Sequence, residues 1–283
     1  MRTASLTTIT LIFFAANSLL TRGALGHALI DAPGFTIVRL ATGALALAIL
    51  LRISRARSDA PSPGSTPRDN GSWLSALWLA GYAVGFTLAY VRIGASVGAL
   101  LLFGGVQVTM IGIGIARGER LRPVDWIALA FATSGLVSLT LPGATAPDVV
   151  GAALMIGAGA CWGAYSIAGR DARDPLGATA GNFWRATILA VLALGWSAHP
   201  DAATPNGLAL ATVSGAVTSG VGYTIWYTVL PALGAWRAAL FQLAVPVLTG
   251  LGAALILSEP LSGRLLAAAI LVGIGVYLST KRS

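Results

Sequence analysis

Charged residues are scarce in this sequence. They account for 10% of its 283 residues, while hydrophobic residues account for 56%. Soluble domains carry about 25% charged residues, so this chain has too few to cover a water-facing surface. The composition therefore excludes an ordinary soluble domain and predicts a protein that lies in the bilayer.

Residue types that support catalysis or metal binding are also few. The chain has one cysteine, Cys161, and two histidines, His27 and His199, which excludes an intramolecular disulfide and makes a poor start for a metal site. Both histidines fall at the ends of apolar segments, so no Ser–His pair lies within the membrane. No apolar segment has an aspartate in its middle. We therefore predict no cofactor, no metal and no enzymatic activity.

Acidic residues are missing from the middle of the apolar segments. All ten of them fall at segment ends or in loops, whereas proton- and sodium-coupled carriers commonly place carboxylates inside the membrane. Their absence favours facilitated flux of a substrate down its own gradient. Exchange of the substrate against a proton that moves through water or backbone groups remains an alternative.

The chain does contain ten apolar segments in series. Each is long enough for a membrane span, which takes roughly 20 residues, and charges or Pro and Gly clusters mark the ends. The predicted bounds are 4–21, 33–51, 72–91, 95–116, 123–141, 149–169, 176–197, 207–230, 235–257 and 263–280. The longest polar connection, residues 52–72, is predicted to be a flexible loop. Pro246, in the ninth segment, is the best candidate for a kink because it removes a backbone hydrogen bond.

The distribution of basic residues predicts the orientation. With a cytoplasmic N-terminus, thirteen Arg and Lys fall on the cytoplasmic side and three, Arg22, Arg92 and Arg264, fall outside. Such a bias follows the positive-inside rule and supports an even number of spans, with both termini in the cytoplasm. The net charge of +8 therefore reflects topology, and we predict the lipid bilayer, not nucleic acid, as a partner.

The two halves of the chain repeat each other. Residues 94–139 align with residues 234–279 with ten identities in 46 positions, and the alignment superposes the only two glutamates, Glu119 and Glu259. We predict five-helix units over residues 1–142 and 143–283. An odd number of helices inverts the second unit, an arrangement in which transporters hold substrate near the midplane. We interpret the glutamates as caps of the N-terminus of the next helix, not as coupling sites.

Further residues recur at matching places in the two units. Arg39 and Arg185 lie in the second helix of each unit, and a glutamate closes the fourth helix in both GERLRPVDWIALAFATSGLVSL and SEPLSGRLLAAAILVGIGVYL. Trp162 lies in CWGAYS in the first helix of the second unit, whereas the first unit has Phe14 at that place. Together these features resemble the drug/metabolite transporter superfamily, in particular transporters with two EamA-type units. Within it, the sequence is most similar to the YddG-type exporters of aromatic and other amino acids.

Polar and aromatic residues inside the spans are the candidates for a substrate site. These candidates are Asn17, Tyr82, Phe86, Trp162, Tyr165, Ser166, Tyr223, Trp226, Phe241 and Gln242. An aromatic cavity with few hydrogen-bonding groups suits amino acids or drug-like molecules better than sugar phosphates, although each residue could instead pack between helices or face lipid. Arg39 and Arg185 are the only basic residues well inside spans. We predict for each either pairing with a substrate carboxylate or a structural role at helix ends.

The function predicted from these features is export of amino acids, aromatic and other neutral ones, across the bacterial inner membrane. The protein would work by alternating access between the two inverted repeats, without ion coupling, as a monomer or weak dimer. The alternative is an exporter of other small metabolites or drugs coupled to proton exchange. A passive channel is a nearer rival than an enzyme, and saturable transport would exclude it.

Overall fold

The chain folds into helices throughout the part that the structure describes. The computed structural model describes residues 2–57, 70–90, 92–93, 95–141, 148–256 and 261–281, and within these ranges it contains no strand. The ten long helices are α1 Arg2–Gly26, α2 Ala32–Arg57, α3 Trp73–Tyr90, α4 Ala95–Ala116, α5 Pro123–Thr140, α6 Val149–Gly169, α7 Pro175–Leu194, α8 Pro205–Leu233, α9 Ala235–Ile256 and α10 Gly263–Thr280. All ten predicted segments are thus helices, which confirms an all-α polytopic membrane protein.

Helix α7 differs from the other nine in its polarity. Within the described ranges, nine helices are long and apolar enough to cross a membrane, and α7 is not among them. Its polar residues Thr179 and Asn182 are buried, because α7 packs against α2, α3 and α8. Protein contacts thus replace lipid contacts along one face of this helix.

Helix α2 is longer than predicted. It continues to Arg57, so the prediction that a flexible loop begins at residue 52 is wrong for residues 52–57. Arginine is a good helix former, and Arg55 and Arg57 lie in the last turn, where positive charge interacts favourably with the helix dipole. The predicted loop over residues 58–69 lies outside the described residues.

The helices pack in a pattern that matches the first five to the last five. Helix α1 packs against α8 and α9, and the corresponding helix α6 packs against α3 and α4. In the same way α2 packs against α8 as α7 packs against α3, while α5 packs against its own counterpart α10. This correspondence is what two related five-helix units would produce. The boundary between them at residues 142 and 143 stays a prediction.

Glycines allow the closest of these contacts. A Cβ atom on Gly159 of α6 would overlap the carbonyl of Leu102 on α4, and one on Gly105 of α4 would meet the carbonyl of Ile156 on α6 at 2.6 Å. Small residues let membrane helices approach until their backbones touch. The α4–α6 contact therefore depends on both glycines.

Two helices are irregular near the middle of the bundle. In α8, residues Ser214–Val221 form a π-helical stretch between two α-helical parts. In α9, the helix is interrupted at Leu243, between the parts Ala235–Gln242 and Ala244–Ile256. Pro246 follows the interruption and cannot donate a backbone hydrogen bond to the carbonyl of Gln242. The interruption lies close to the predicted kink in the ninth segment, and the kink itself stays a prediction.

Candidate functional site

A cavity of about 470 Å³ lies between the two halves of the bundle. Its wall comes from helices of both halves, and six of the predicted site residues line it: Asn17, Tyr82, Phe86, Trp162, Tyr223 and Gln242. Ligand-binding cavities in proteins commonly have volumes of roughly 300–1,000 Å³. The cavity is therefore large enough for a small metabolite.

The cavity opens at one end of the bundle. Its wall includes Gly98 and Ala99 in the first turns of α4, Arg22 and Tyr90 near the ends of α1 and α3, and Thr140 at the end of α5. Its deepest residues lie near the middle of their helices, as Trp162 does in α6. We call the end near Gly98 the mouth, and the half of the bundle beyond Trp162 the closed end.

Glu119 joins helices of both halves at the closed end. Its carboxylate accepts hydrogen bonds from the backbone N–H groups of Ala235 at 2.9 Å and Trp236 at 3.3 Å, and it pairs with Arg170 at 2.7 Å. Gly234, the N-cap of α9, has no side chain that could bind these N–H groups. Glu119 therefore caps α9 from another part of the chain.

The predicted target of this cap is wrong. We expected Glu119 to cap α5, the next helix, but the backbone N–H of Arg122, the N-cap of α5, is bound by Asp125 instead. Asp125 lies three residues after Arg122, in the first turn of α5, so its side chain accepts the hydrogen bond from the N-cap. Glu119 is therefore not needed there and binds the first turn of α9 instead. Glu259, the matching glutamate, lies outside the described residues.

Aromatic rings form the floor of the cavity. The Trp162 ring lies 4.7 Å from Tyr223, 5.0 Å from Tyr82 and 5.5 Å from Phe14, measured between ring centroids. Phe14 lines the cavity as well, although we did not name it as a site residue. Its alignment with Trp162 in the repeat was the signal that could have identified it.

Gln242 fixes the orientation of the Trp162 ring. Its side-chain oxygen accepts a hydrogen bond from the indole N–H of Trp162 at 2.6 Å, and its amide nitrogen lies 3.2 Å from the Ala238 carbonyl and 3.3 Å from the Met110 sulfur. Both ends of the amide are thus engaged by protein atoms. Gln242 holds the floor in place and keeps little hydrogen-bonding capacity for a ligand.

Asn17 is held by the π-helical stretch of α8. Its side-chain oxygen accepts hydrogen bonds from Ser214 Oγ at 2.6 Å and from Thr218 Oγ1 at 3.1 Å. The oxygen of the amide thus faces the two hydroxyl groups, and the NH₂ group faces away from them. Asn17 lies in the cavity wall. Ser214 and Thr218 were not predicted as site residues, because single hydroxyl residues in an apolar segment form no distinguishing pattern.

Arg39 is buried behind the cavity wall. Its Nε donates to Ser219 Oγ at 2.9 Å, its Nη2 donates to Tyr223 Oη at 2.6 Å, and its guanidinium lies 5.8 Å from the centre of the Tyr82 ring. The residue is 5% exposed. None of the ion pairs among the described residues includes Arg39. Burying a charge that is bound only by neutral oxygens costs free energy. Because no described carboxylate neutralises the Arg39 guanidinium, its positive potential can act on a negatively charged ligand.

Arg185 lies in a different environment from Arg39. It donates to the carbonyls of Asn70 at 2.7 Å and Gly181 at 2.8 Å, and its guanidinium lies over the rings of Trp73 and Trp184. It does not line the cavity. These contacts match the structural alternative that we considered, in which the arginine bridges backbone carbonyls at a helix end.

Four other predicted site residues lie outside the cavity wall: Tyr165, Ser166, Trp226 and Phe241. The first three are fully buried, and the Trp226 indole donates to Ser166 Oγ at 3.1 Å. Tyr165 stacks on Tyr227 at 4.9 Å. Phe241 is partly buried and packs against the hydrophobic core. Their contacts are those of helix packing on the closed side of the floor. No group of three or more His, Cys, Asp or Glu that could hold a metal is found among the described residues.

Comparisons with known proteins agree with this architecture. The EamA-like transporter family matches residues 149–281. Uncharacterized protein PA1977 of Pseudomonas aeruginosa is 46% identical over 283 residues, which cover 99% of this chain and 96% of that protein. The threonine/homoserine exporter RhtA of Salmonella typhimurium is 27% identical over 277 residues, covering 90% of this chain and 84% of that protein. The RhtA protein of Escherichia coli is 28% identical over 209 residues, covering 67% and 63%.

A solved structure shares the fold. A crystal structure of a protein superposes with a TM-score of 0.79 over 99% of this chain and 97% of that one, at 19% sequence identity. At this identity the likeness concerns the arrangement of the helices. It extends over both halves, whereas the family match covers the second half.

Proposed function

Because the chain belongs to the EamA-like transporter family, we propose that it exports neutral amino acids, aromatic ones included, across the bacterial inner membrane. The observation that carries the proposal is the cavity between the two halves, with an aromatic floor and the donor groups of Asn17 beside it. An amino acid combines an apolar side chain with a small charged end. The floor and the Asn17 region offer one surface for each.

Two relatives support the choice of amino acids over other metabolites. Both RhtA proteins are threonine/homoserine exporters by name, although their similarity to this chain is distant. The resemblance to YddG-type exporters supports the extension to aromatic side chains. Within the described wall, the rings of Phe14, Tyr82 and Trp162 offer the contact area that a large side chain requires.

The proposed mechanism is alternating access. The cavity is open at the mouth, while Glu119, Arg170 and the first turn of α9 close the opposite end. Helix α4 joins the two ends, and its 22 residues span about 33 Å at 1.5 Å per residue. With cytoplasmic termini, as the basic residues favour, the mouth faces outward. Export then requires that the closed end opens to admit substrate from the cytoplasm.

We further propose that the flux is uncoupled and that one chain suffices. The described residues of the wall include no Asp or Glu, so they provide no carboxylate that could carry a proton with each substrate. The cavity is built within a single chain, so a monomer has a complete site. The inner-membrane location follows from the basic-residue bias and stays part of the proposal.

Counterflow in proteoliposomes tests this function. Vesicles loaded with an unlabelled amino acid should take up the labelled one with saturation, and collapse of the pH gradient should leave the rate unchanged. The variant W162A should alter substrate preference, whereas W196A, at a residue 84% exposed, should not. Lack of saturable counterflow for any amino acid would refute the substrate class, and dependence on the pH gradient would refute uncoupled flux.

A further inference from the structure

The π-helical stretch of α8 positions two groups beside the cavity. Ser214 and Thr218 donate to the side-chain oxygen of Asn17, and the adjacent Ser219 accepts from Arg39. All three hydroxyl residues are buried. Such stretches are rare in helices and occur frequently at functional sites. Here the irregular turn lets consecutive positions, Thr218 and Ser219, hold Asn17 and Arg39 at the same time.

Asn17 presents hydrogen-bond donors to the cavity. Its oxygen is occupied by two hydroxyl groups, and among the described residues no hydrogen bond uses its Nδ2 atom. The Thr218 hydroxyl also lies 2.9 Å from the Ser214 carbonyl, and its single proton serves one of these two acceptors at a time. In the orientation that the structure shows, Asn17 offers donors to a ligand.

Tyr223 adds a hydroxyl group that Arg39 polarises. The phenolic oxygen accepts from the guanidinium at 2.6 Å, and the hydroxyl also lies within hydrogen-bonding reach of Tyr82 and Ser219. A neighbouring positive charge in a low-dielectric interior polarises that O–H bond. Tyr223 lines the cavity, whereas Arg39 lies behind it. The charge thus acts on the cavity through the hydroxyl group.

The wall has nothing comparable for a cation. The described lining residues include no Asp or Glu, so an ammonium group would meet aromatic rings such as that of Trp162 and neutral hydroxyl groups such as those of Ser18 and Thr249. A cation over an aromatic ring is bound more weakly than a charged group is by direct hydrogen bonds. The balance of groups favours a negative ligand end.

We propose that this corner of the cavity is a carboxylate-binding site, in which the Asn17 amide and the Tyr223 hydroxyl, with the Arg39 charge behind them, bind the carboxylate of the substrate. Resting on the proposed function, this assigns the amino-acid carboxylate as the recognised end and makes the ammonium group dispensable. Monocarboxylates of similar size belong to the same ligand class. Amines without a carboxylate do not.

Three ligands with the same ring test the assignment on the purified full-length protein in detergent: phenylalanine, 3-phenylpropionate and 2-phenylethylamine. Affinities follow from the rise in the thermal unfolding midpoint with ligand concentration. We expect phenylalanine and 3-phenylpropionate to bind within about tenfold of each other, and 2-phenylethylamine at least about tenfold more weakly, since it loses the charged hydrogen bonds.

Two variants and a matched control separate the site from the rest of the fold. N17D keeps the acceptor for Ser214 and Thr218 but replaces the donor with an acceptor, so carboxylate binding should weaken by roughly tenfold or more and amine binding should increase. Y223F keeps the aromatic ring but removes the hydroxyl group. It should weaken the binding of the two carboxylates and leave the affinity for 2-phenylethylamine unchanged. N206D makes the same amide-to-acid change at an exposed position and should leave all three affinities unchanged.

The outcomes distinguish this proposal from the proposed function. If phenylalanine binds and 2-phenylethylamine binds as tightly as 3-phenylpropionate, or if N17D and Y223F both bind carboxylates like the wild type, the carboxylate site is refuted and amino-acid export stands. If 3-phenylpropionate binds and amino acids do not, the carboxylate site stands and the substrate proposal fails. Binding of none of the three refutes both.

Discussion

The Glu119 contacts at the closed end lead to a quantitative prediction about the conformational equilibrium. The substitution E119Q removes the charge that pairs with Arg170 and that caps α9, while the amide oxygen can still accept one neutral hydrogen bond. Both side chains of the ion pair are about one-fifth exposed, at 20% for Glu119 and 21% for Arg170, so solvent screens part of the interaction.

The size of the effect follows from the three contacts. A charge at a helix N-terminus contributes about 0.3–1 kcal/mol at exposed sites, and an ion pair open to solvent contributes about 0.2–1 kcal/mol. Their sum is about 0.5–2 kcal/mol. If these contacts exist only while the closed end is closed, E119Q should raise the population of molecules open at that end by about 2- to 30-fold.

Cysteine accessibility measures that population. Ala238 is fully buried in the first turns of α9, so A238C should react with a water-soluble thiol reagent only when the closed end opens. The native thiol at Cys161 is first removed by C161A. Labelling of A238C in the E119Q background should then be about 2- to 30-fold faster than with Glu119 present.

A matched acid-to-amide change at the mouth provides the control. Asp148 caps α6 and lies 3.9 Å from Arg92, and asparagine is also a good N-cap, so D148N should not accelerate labelling of A238C. Equal acceleration by E119Q and D148N would show a general loosening of the fold. An unchanged rate in E119Q would refute the reasoning that Glu119 holds the closed end.

Two further predictions concern packing and the cavity floor. G159A places a Cβ against the Leu102 carbonyl and should destabilise the protein by about 1–3 kcal/mol. G157A, with no atom within 4 Å of its Cβ, is the control and should not destabilise it. Equal thermal unfolding midpoints for the two variants would contradict the close α4–α6 contact. Q242M leaves the indole N–H of Trp162 without its acceptor, at a cost of about 1–3 kcal/mol. It should raise the KM for amino-acid counterflow several-fold, and an unchanged KM would show that the ring is held by other contacts.

Much of the fold could be predicted from local sequence. Span positions agree with the helices because hydropathy over some twenty residues decides whether a segment enters the bilayer. The interruption of α9 near Pro246 has an equally local cause, since proline acts on the carbonyl four residues before it. The error at the end of α2 was local too: charge was taken as the end of the helix, although arginine at a helix C-terminus stabilises it.

The candidate site was less predictable. The residue types were found, and six of the ten named candidates line the cavity. Tyr165, Ser166 and Trp226 are equally polar or aromatic and lie in equally apolar helices, yet they pack on the far side of the floor. The direction in which each side chain points depends on how its helix is rotated about its own axis. In helices that are apolar on nearly all faces, the sequence has little periodicity from which that rotation could be predicted.

What the sequence determined by itself is therefore the order and approximate bounds of the described helices, apart from the end of α2, and the scarcity of acidic groups. The tertiary structure alone decided what the matched residues do. Arg39 and Arg185 correspond in the repeat, but Arg39 lies behind the cavity wall among hydroxyl groups and Arg185 bridges backbone carbonyls between tryptophans. The reason is distance along the chain. The partners that orient Asn17 lie about two hundred residues away, and only the packing of α1 against α8 brings them together.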